Sequence, residues 1–537
     1  METGNPVEER SVGGCVARLE KCEIPPPFDG RLGDSPLLSL VRMEWLSWHH
    51  RRLTAAVAPH WPLPGDSKSL RACISEGLLP GLQGMHARLL FGMRDSQEVD
   101  LDALIPYSPS VPDREVILEL EGWGMKEEIA GPLVAELCKD MGEAAVSVSL
   151  LRQELTRNLV ESCLPAHGTL SLLPLRGSSN HIPAQLLVVY QPDCGSVRRH
   201  LEPVRAATPL PATPFYGPLN IPLYSSYANP DVSRTLAAAG VAATPFTAAL
   251  LLNHSHFLKL ALLYRLTAAG VTDPAKLPAP GSEGCLLLAT CLPSSNESSS
   301  SCPPERALFI QRLFCLLARY EAFSGNTGGI QGAIPHHVFD GLEAACGVSG
   351  ECFASPLNCH HPRFFSAFPD TDAHFGGCGS FFKAAITEGA FEANPPFVNG
   401  FMKCMVLRLR ELLDAARGAG KPLLFFVIVP SWTDAYFFKL LTGSLYKLAS
   451  ERLVRKEHEY IDGLQHRAGR STWGANVDST WFLLATSAAV ERYSLSPGTF
   501  TKHLRQCFAQ TTKGLGEARR SFKYSVHAQT VNDERMP

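Results

Sequence analysis

The chain has 537 residues, 45% of them apolar and 19% charged, which is material for two or three packed domains, and it contains no run of about eighteen apolar residues long enough to cross a bilayer. A net charge of −3 and a pI near 6.7 exclude a uniformly basic nucleic-acid coat, so any RNA contact has to come from a local patch. Its 16 cysteines follow no framework of short repeats and no apolar leader opens the chain, which predicts reduced thiols inside a cell.

Residues 1–36 are rich in Gly, Pro and charge, with Pro25-Pro26-Pro27, and read as a poorly ordered arm. From Leu37 the pattern turns helical: Leu38, Val41, Trp45, Trp48, Leu53 and Val57 share one amphipathic stretch. A second long helical reading covers 113–160, with Ile117, Leu120, Ile129, Leu133, Leu137 and Met141 among Glu and Lys. Ile182 to Tyr190 fits a strand, Pro203 to Pro222 is a Pro-rich crossing, and Val232 to Ala268 reads as Ala- and Leu-rich helices. A mainly helical accessory domain over 37–275 is the simplest account. The domain that follows runs over 276–510, opens with a Ser-rich loop at 294–304, and precedes a polar tail at 511–537.

Within that second domain, Arg306 to Phe323 is helical, Gly325 to Gly332 is a Gly-rich turn, and a helix over 336–346 leads into a strand over 351–357. The stretch Phe391-Glu392-Ala393 alternates as the end of a strand, and Phe401, Met405, Leu409 and Leu412 repeat at helical spacing. Gly418 and Gly420 stop that helix, and Leu423 to Val429 is an apolar run suited to a buried parallel strand.

The order is therefore strand, Asn394-Pro395-Pro396-Phe397, helix, strand. In an open α/β sheet, ligands bind at the carboxyl ends of strands, where this loop falls. Pro396 holds Pro395 extended and Pro395 does the same to Asn394, so carbonyls point outward with no helix to consume them. The Asn394 side-chain oxygen and the Pro395 carbonyl can accept the two hydrogens of an exocyclic amine while the Phe397 ring stacks on its base. A Pro-Pro turn between two elements fits the same four residues.

Several ungapped blocks in one order carry a longer resemblance. They are Gly332-Ala333-Ile334-Pro335, Glu351 to Asn358, Ser366-Ala367-Phe368-Pro369-Asp370-Thr371-Asp372, Phe391 to Phe397, Pro430 with Trp432, Glu457-His458-Glu459-Tyr460, and Gln465-His466. From Gly332 to His466 the chain resembles the phosphorylated-CTD-interacting factor family, cap-specific adenosine N6-methyltransferases. The resemblance implies a Rossmann-like methyltransferase domain acting with S-adenosyl-L-methionine on N6 of the cap-adjacent adenosine of mRNA, in the nucleus, with capped RNA and RNA polymerase II or other transcription machinery as partners. Two alternatives stay open: a related RNA or DNA adenine N6-(di)methyltransferase, and a catalytically inactive adaptor of the same fold. Asn394, Pro395, Pro396 and Phe397 become the catalytic group, and Gly332, Ala333, Glu351, Phe353, Asn358, Asp370 and Asp372 the cofactor-binding group.

Members of this family can carry an amino-terminal WW domain. Trp45, Trp48 and Trp61 sit in a helical pattern, not around a short Gly- and Tyr-containing sheet, so no WW domain is expected there. Cys352, Cys359, His360, His361, His374 and Cys378 contain neither a paired C-x-x-C nor an H-x-x-x-H, and no metal is predicted. His458 and Glu459 are expected to order the wall of the site. Lys439, Lys447, Arg452, Arg455 and Lys456, read along one helix, are the RNA-phosphate candidates; Arg198, Arg199 and Arg205 form a smaller cluster.

Overall fold

The computed structural model describes residues 34–45, 114–122, 125–157, 167–175, 185–202, 230–268 apart from 243 and 245, 270, 304–324, 331–467 and 472–510. The amino-terminal arm up to residue 33, Trp48, Trp61, the Pro-rich crossing, the run Cys285 to Leu292, the Ser-rich loop up to residue 303 and the polar tail lie outside the described residues, while residues 34–36, read as the end of that arm, lead into the first helix.

The first part of the chain mixes helices with a small sheet. Helix α1 (36–45), α2 (Arg114–Gly122) and α3 (Glu127–Arg157) are followed by β1 (Gly168–Pro174) and β2 (Gln185–Pro192). Helix α4 (Pro230–Ala238), β3 (Ala248–Asn253) and α5 (His254–Ala268) complete it. The strands form an antiparallel sheet in the order β1-β2-β3. The sequence placed a strand near β2, but it read the Ala- and Leu-rich stretch around β3 as helix. Pairing of Ala248 to Leu252 with β2 overrides the helix preference of Ala and Leu, and the Thr244–Thr247 turn, with Thr247 Oγ1 donating to the Ala242 carbonyl, starts the strand.

The second part begins with α6 (Pro304–Ser324) and α7 (His336–Cys346), the latter closed by Gly347 at φ 70, where its N–H caps the Glu343 carbonyl. Strands β4 (Gly350–Glu351) and β5 (Gly389–Ala393), helix α8 (Asn399–Gly418) and β6 (Leu423–Pro430) come next. They are followed by α9 (Tyr436–Thr442), β7 (Lys447–Leu453), β8 (Glu459–Ile461), β9 (Thr472–Gly474), β10 (Ser479–Ala485), α10 (Ser487–Arg492) and α11 (Pro497–Ala509). The five-stranded sheet runs β4-β5-β6-β10-β7; β4, β5 and β6 are parallel, and β10 is antiparallel to both its neighbours. The molecule is thus mixed α/β, and this sheet is mixed.

Every residue of β6 is buried, as its unbroken apolar run requires of a central strand covered on both faces. On one face Phe391, Phe425, Val427 and Phe482 pack with Met402, Met405 and Leu409 of α8 and Phe437 of α9. On the other, Ala390, Phe426, Ile428 and Trp481 pack with Val338 and Leu342 of α7 and Phe500 and Leu504 of α11. The strand expected over 351–357 stops at Glu351: Pro356 has no N–H, and the Asn358 side chain takes the Ser355 N–H, so the ladder cannot continue.

A third core joins the two parts. Residues of α1, α3, the small sheet, α5 and α6 enclose Leu357, Phe364, Phe368 and Phe375 from the loops after β4. Within it Arg319 of α6 reaches both oxygens of Asp370, at 2.8 and 2.6 Å, and Asp34 at 3.1 Å, while Asp34 also holds Arg42 of α1. Charges this deeply buried persist because each has an opposite partner.

Candidate functional site

The carboxyl ends of β4, β5 and β6 open on one edge of the sheet, and the chain segments leaving them converge there. The Asn394 amide nitrogen donates to the Gly332 carbonyl at 3.0 Å. That bond joins two segments 62 residues apart and commits the nitrogen, so the side-chain oxygen is the atom left to accept. Pro395 is buried; Asn394, Pro396 and Phe397 are half-buried. The Pro396 carbonyl takes the Val398 N–H at 2.7 Å, which closes the loop tightly just before α8. The Phe397 ring meets Tyr460 edge-on at 6.2 Å and touches the cores on both faces of the sheet.

Gly332 and Ala333 lie between this loop and β8. The Ala333 N–H donates to the Ile461 carbonyl at 3.2 Å, and the Ala333 carbonyl accepts from the Ile461 N–H at 2.7 Å. Asn358 anchors the residue before them: its amide donates to the Gln331 carbonyl at 3.0 Å, and its oxygen accepts from the Ser355 N–H and hydroxyl. Gly332, Asn358 and Asn394 are therefore brought together through Gln331, a residue the sequence did not single out.

Glu351 ends β4 in register with Glu392 of β5, so the two carboxyls share one face. One Glu351 oxygen accepts the His360 and His361 N–H groups, each at 2.8 Å. Burial pushes its carboxyl up to about 7 despite those bonds and the nearby Lys259 ammonium. Burial and the charge of Glu351 drive Glu392 well above the usual carboxylate range, and its Oε1 has no hydrogen-bond partner among the described residues. Glu392 was passed over in the sequence; an acid inside an otherwise apolar strand, two residues before Asn394, was the available signal.

Other expected cofactor residues are engaged elsewhere. Asp370 is held by Arg319, and Asp372, fully buried, accepts the Tyr320 hydroxyl at 2.7 Å. Burial raises the Asp372 carboxyl to about 7. Phe353 packs among Phe381, Phe382 and Phe401. His458 bridges the Val454 carbonyl and the Ser479 hydroxyl, which also meets the Tyr460 hydroxyl at 2.8 Å, so it braces one wall.

The basic residues do not form one helix. Lys439 is on α9, Lys447 and Arg452 are on β7, and Arg455 and Lys456 are in the turn after it. Gly443 ends the helix, and pairing with β10 then makes the strand. An irregularity in that pairing sets Lys447 opposite Leu484 and Arg452 opposite Thr480, so both stay on the face that α9 covers. Arg452 is paired with Asp478, which also accepts the Arg455 N–H at 2.8 Å. Among the described residues, one His/acid group has ligand atoms close enough to share an ion: Asp340, Glu343 and His360.

Comparison with known proteins bears on this region. Residues 291–463 match the family model described as the phosphorylated CTD interacting factor 1 WW domain. The chain is 41% identical over 169 residues to the mRNA (2'-O-methyladenosine-N(6)-)-methyltransferase of Homo sapiens, covering 29% of this chain and 23% of that protein. It is 40% identical over 179 residues to the protein of the same name from Mus musculus, covering 31% of this chain and 24% of that one. The chain thus spans about a quarter of the length of the curated relatives it matches. Together these findings support the phosphorylated-CTD-interacting factor family for this segment. They also correct the expectation of no WW domain. The match bearing that description falls on 291–463, away from the amino-terminal tryptophans, and a search for paired tryptophans misses it because that segment contains only Trp432.

Proposed function

We propose that the region from α6 to α11 is a Rossmann-like methyltransferase domain that transfers a methyl group to N6 of the cap-adjacent adenosine of mRNA. The observation that carries this reading is the Asn394 amide bound to the Gly332 carbonyl at the carboxyl edge of parallel strands, which commits the amide nitrogen and leaves the side-chain oxygen as the acceptor. The matched relatives are named mRNA (2'-O-methyladenosine-N(6)-)-methyltransferases.

S-adenosyl-L-methionine is the methyl donor in this reading, and it supplies an electrophilic methyl group. The residues present fit such a molecule: Glu392, two residues before Asn394, is a buried carboxyl with an orphaned oxygen, and Gly332 and the 352–358 turn are tied to the same strand edge through Asn394 and Gln331. Asn394 and Pro395 take the two amine hydrogens, which fixes the direction of the nitrogen lone pair. Phe397 lies against the base plane. No strong base is needed, because the attacking amine is neutral and its proton leaves after transfer. Alignment and the preorganised carbonyl acceptors stabilise the positive charge that develops on nitrogen. Exposed Lys447, Arg455 and Lys456 are proposed to contact RNA phosphates, and nuclear residence and partnership with RNA polymerase II belong to the same proposal.

The test is calorimetric titration with S-adenosylhomocysteine, then incubation of the full chain with S-adenosylmethionine and capped or uncapped RNA, read by nucleoside mass spectrometry. N6-methyladenosine made only on capped RNA is the expected result. Cofactor binding with no methylated nucleoside would point to an adaptor, and methylation of internal adenines would relocate the substrate.

A further inference from the structure

The loop that carries Asn394 to Phe397 runs directly into α8, and β6 runs through Trp432 into α9, so both helices start at the edge where the proposed site lies. Their seam then leads away from that edge along one face of the sheet. At its head Trp432 is 41% exposed and Tyr436 is 56% exposed, large aromatic surfaces that a folded chain ordinarily covers. Lys403, in the first turns of α8, places its ammonium 5.4 Å from the centre of the Tyr436 ring and so ties the two helices together. Further along, Arg410 of α8 and Lys439 of α9 line a cavity of about 300 Å³ between the helices. Arg410, Lys439 and Lys403 are all exposed. Asp414 also lines the cavity, paired with Arg410 at 3.6 Å and accepting the Tyr446 hydroxyl, so the net charge of the lining is positive.

From this surface we infer that the α8/α9 seam is a track for the single-stranded RNA that follows the target adenosine. The inference rests on the proposed function and names where the rest of its substrate lies. Aromatic faces interleaved with cations along a groove are what a single strand requires: bases stack on the rings whatever their identity, and the backbone follows the positive charges. A chain of net charge −3 has no overall field to attract RNA, so a local alignment of this kind has to supply it. An apolar partner helix would cover the exposed Lys439, while Arg410 is already paired with Asp414 and Lys403 with the Tyr436 ring.

Two probes test the track. A capped dinucleotide fills the site alone, whereas a capped oligonucleotide of about twelve nucleotides, within the length a single-strand site spans, also follows the seam. In the double variant Trp432→Ala/Tyr436→Ala, and separately in Lys403→Glu, KM for the longer RNA is expected to rise about tenfold, and by clearly more than for the dinucleotide. Binding of S-adenosylhomocysteine, measured by calorimetry, reports the folded fraction. Equal changes for both RNAs, or none, overturn the track. If the parent protein methylates neither RNA, the functional reading fails by itself. Fluorescence anisotropy with labelled single-stranded RNA then decides the track: weaker binding and a shallower salt dependence in Lys403→Glu uphold it, and binding equal to the parent overturns it. Loss of an acidic peptide's binding with RNA binding intact overturns it as well.

Discussion

Two loops leave the carboxyl ends of neighbouring parallel strands, and they spend their polar groups differently. After β4, the turn over 352–361 consumes nearly everything it has. Lys259 of α5 donates to the Leu357 and Cys359 carbonyls at 3.2 and 2.8 Å, Glu351 takes the next two amides, and Asn358 is satisfied by Gln331 and Ser355. After β5, the Asn394–Phe397 loop fixes itself with the Asn394 amide on the Gly332 carbonyl and the Val398 N–H on the Pro396 carbonyl, and Phe397 packs against Tyr460. The first loop is a scaffold, and in the proposed function the second is the presenting surface. Rigidity in the one is what gives the other a defined geometry, because Asn358 holds Gln331, and the next carbonyl, of Gly332, holds Asn394.

The largest effect that can break this comparison is at the presenting loop. Asn394→Ala removes both the tie to Gly332 and the amine acceptor, and is expected to lower the methylation rate by about a hundredfold, with little change in cofactor affinity by calorimetry. Turnover equal to the parent would make the loop an ordinary Pro-Pro turn.

At the scaffold loop the expected effect is on folding. Lys259 is buried, with its ammonium pushed below its ordinary pKa by desolvation, and it belongs to the first part of the chain. Lys259→Met keeps most of the volume but leaves two buried carbonyls without a donor, a cost of about 1–3 kcal/mol in urea unfolding. If stability is unchanged, the loop does not depend on that clamp.

How much of this was legible beforehand follows from the type of interaction. Strands β5 and β6 and helix α8 were readable because apolar periodicity and the Gly418/Gly420 stop are local signals, and Gly420 does adopt φ 64. The family resemblance puts Gly332 and Asn394 in one proposed site, but the bond between them has no local signal, since no periodicity reaches across 62 residues. Asp370 and Asp372 enter the cofactor group through the family resemblance, and their bonds to Arg319 and Tyr320 carry no local signal, since those partners lie 51 and 52 residues earlier. Strand β3 was hidden for the same reason: its Ala and Leu residues favour helix alone and become a strand only beside β2. The clamp by Lys259 had no sequence signal, as a single Lys in a helix ordinarily reads as solvated.

A pH experiment separates scaffold carboxyls from functional ones. Asp372 is raised from 3.8 to about 7, mainly by burial, so the folded state holds its proton more tightly than the unfolded chain. Its contribution to stability is complete below about 4 and is lost as pH rises towards 7. Asp372→Asn cannot titrate, so the parent's stability advantage over this variant is expected to shrink across that window. Urea midpoints at several pH values check this, and a constant gap would place the Asp372 proton elsewhere. Cofactor affinity at neutral pH should change little, since the carboxyl is engaged by Tyr320.

The smallest effect concerns the turn after β7. Arg455 and Lys456 are exposed, and the pairing of Arg452 with Asp478 cancels one of the neighbouring charges. A surface ion pair of that kind contributes little to stability, so its effect is to reduce the field available to RNA. If Arg455 and Lys456 each meet one phosphate, replacing both by Ala is expected to reduce the slope of log K against log salt by about 1.4, from about 0.7 per contact on a single strand. Folding and cofactor binding should be unaffected, since neither side chain is buried. A slope equal to the parent would show a solvated turn, and the phosphate contacts would then have to come from the α8/α9 seam, where Lys403 and Arg410 offer the next group of exposed cations.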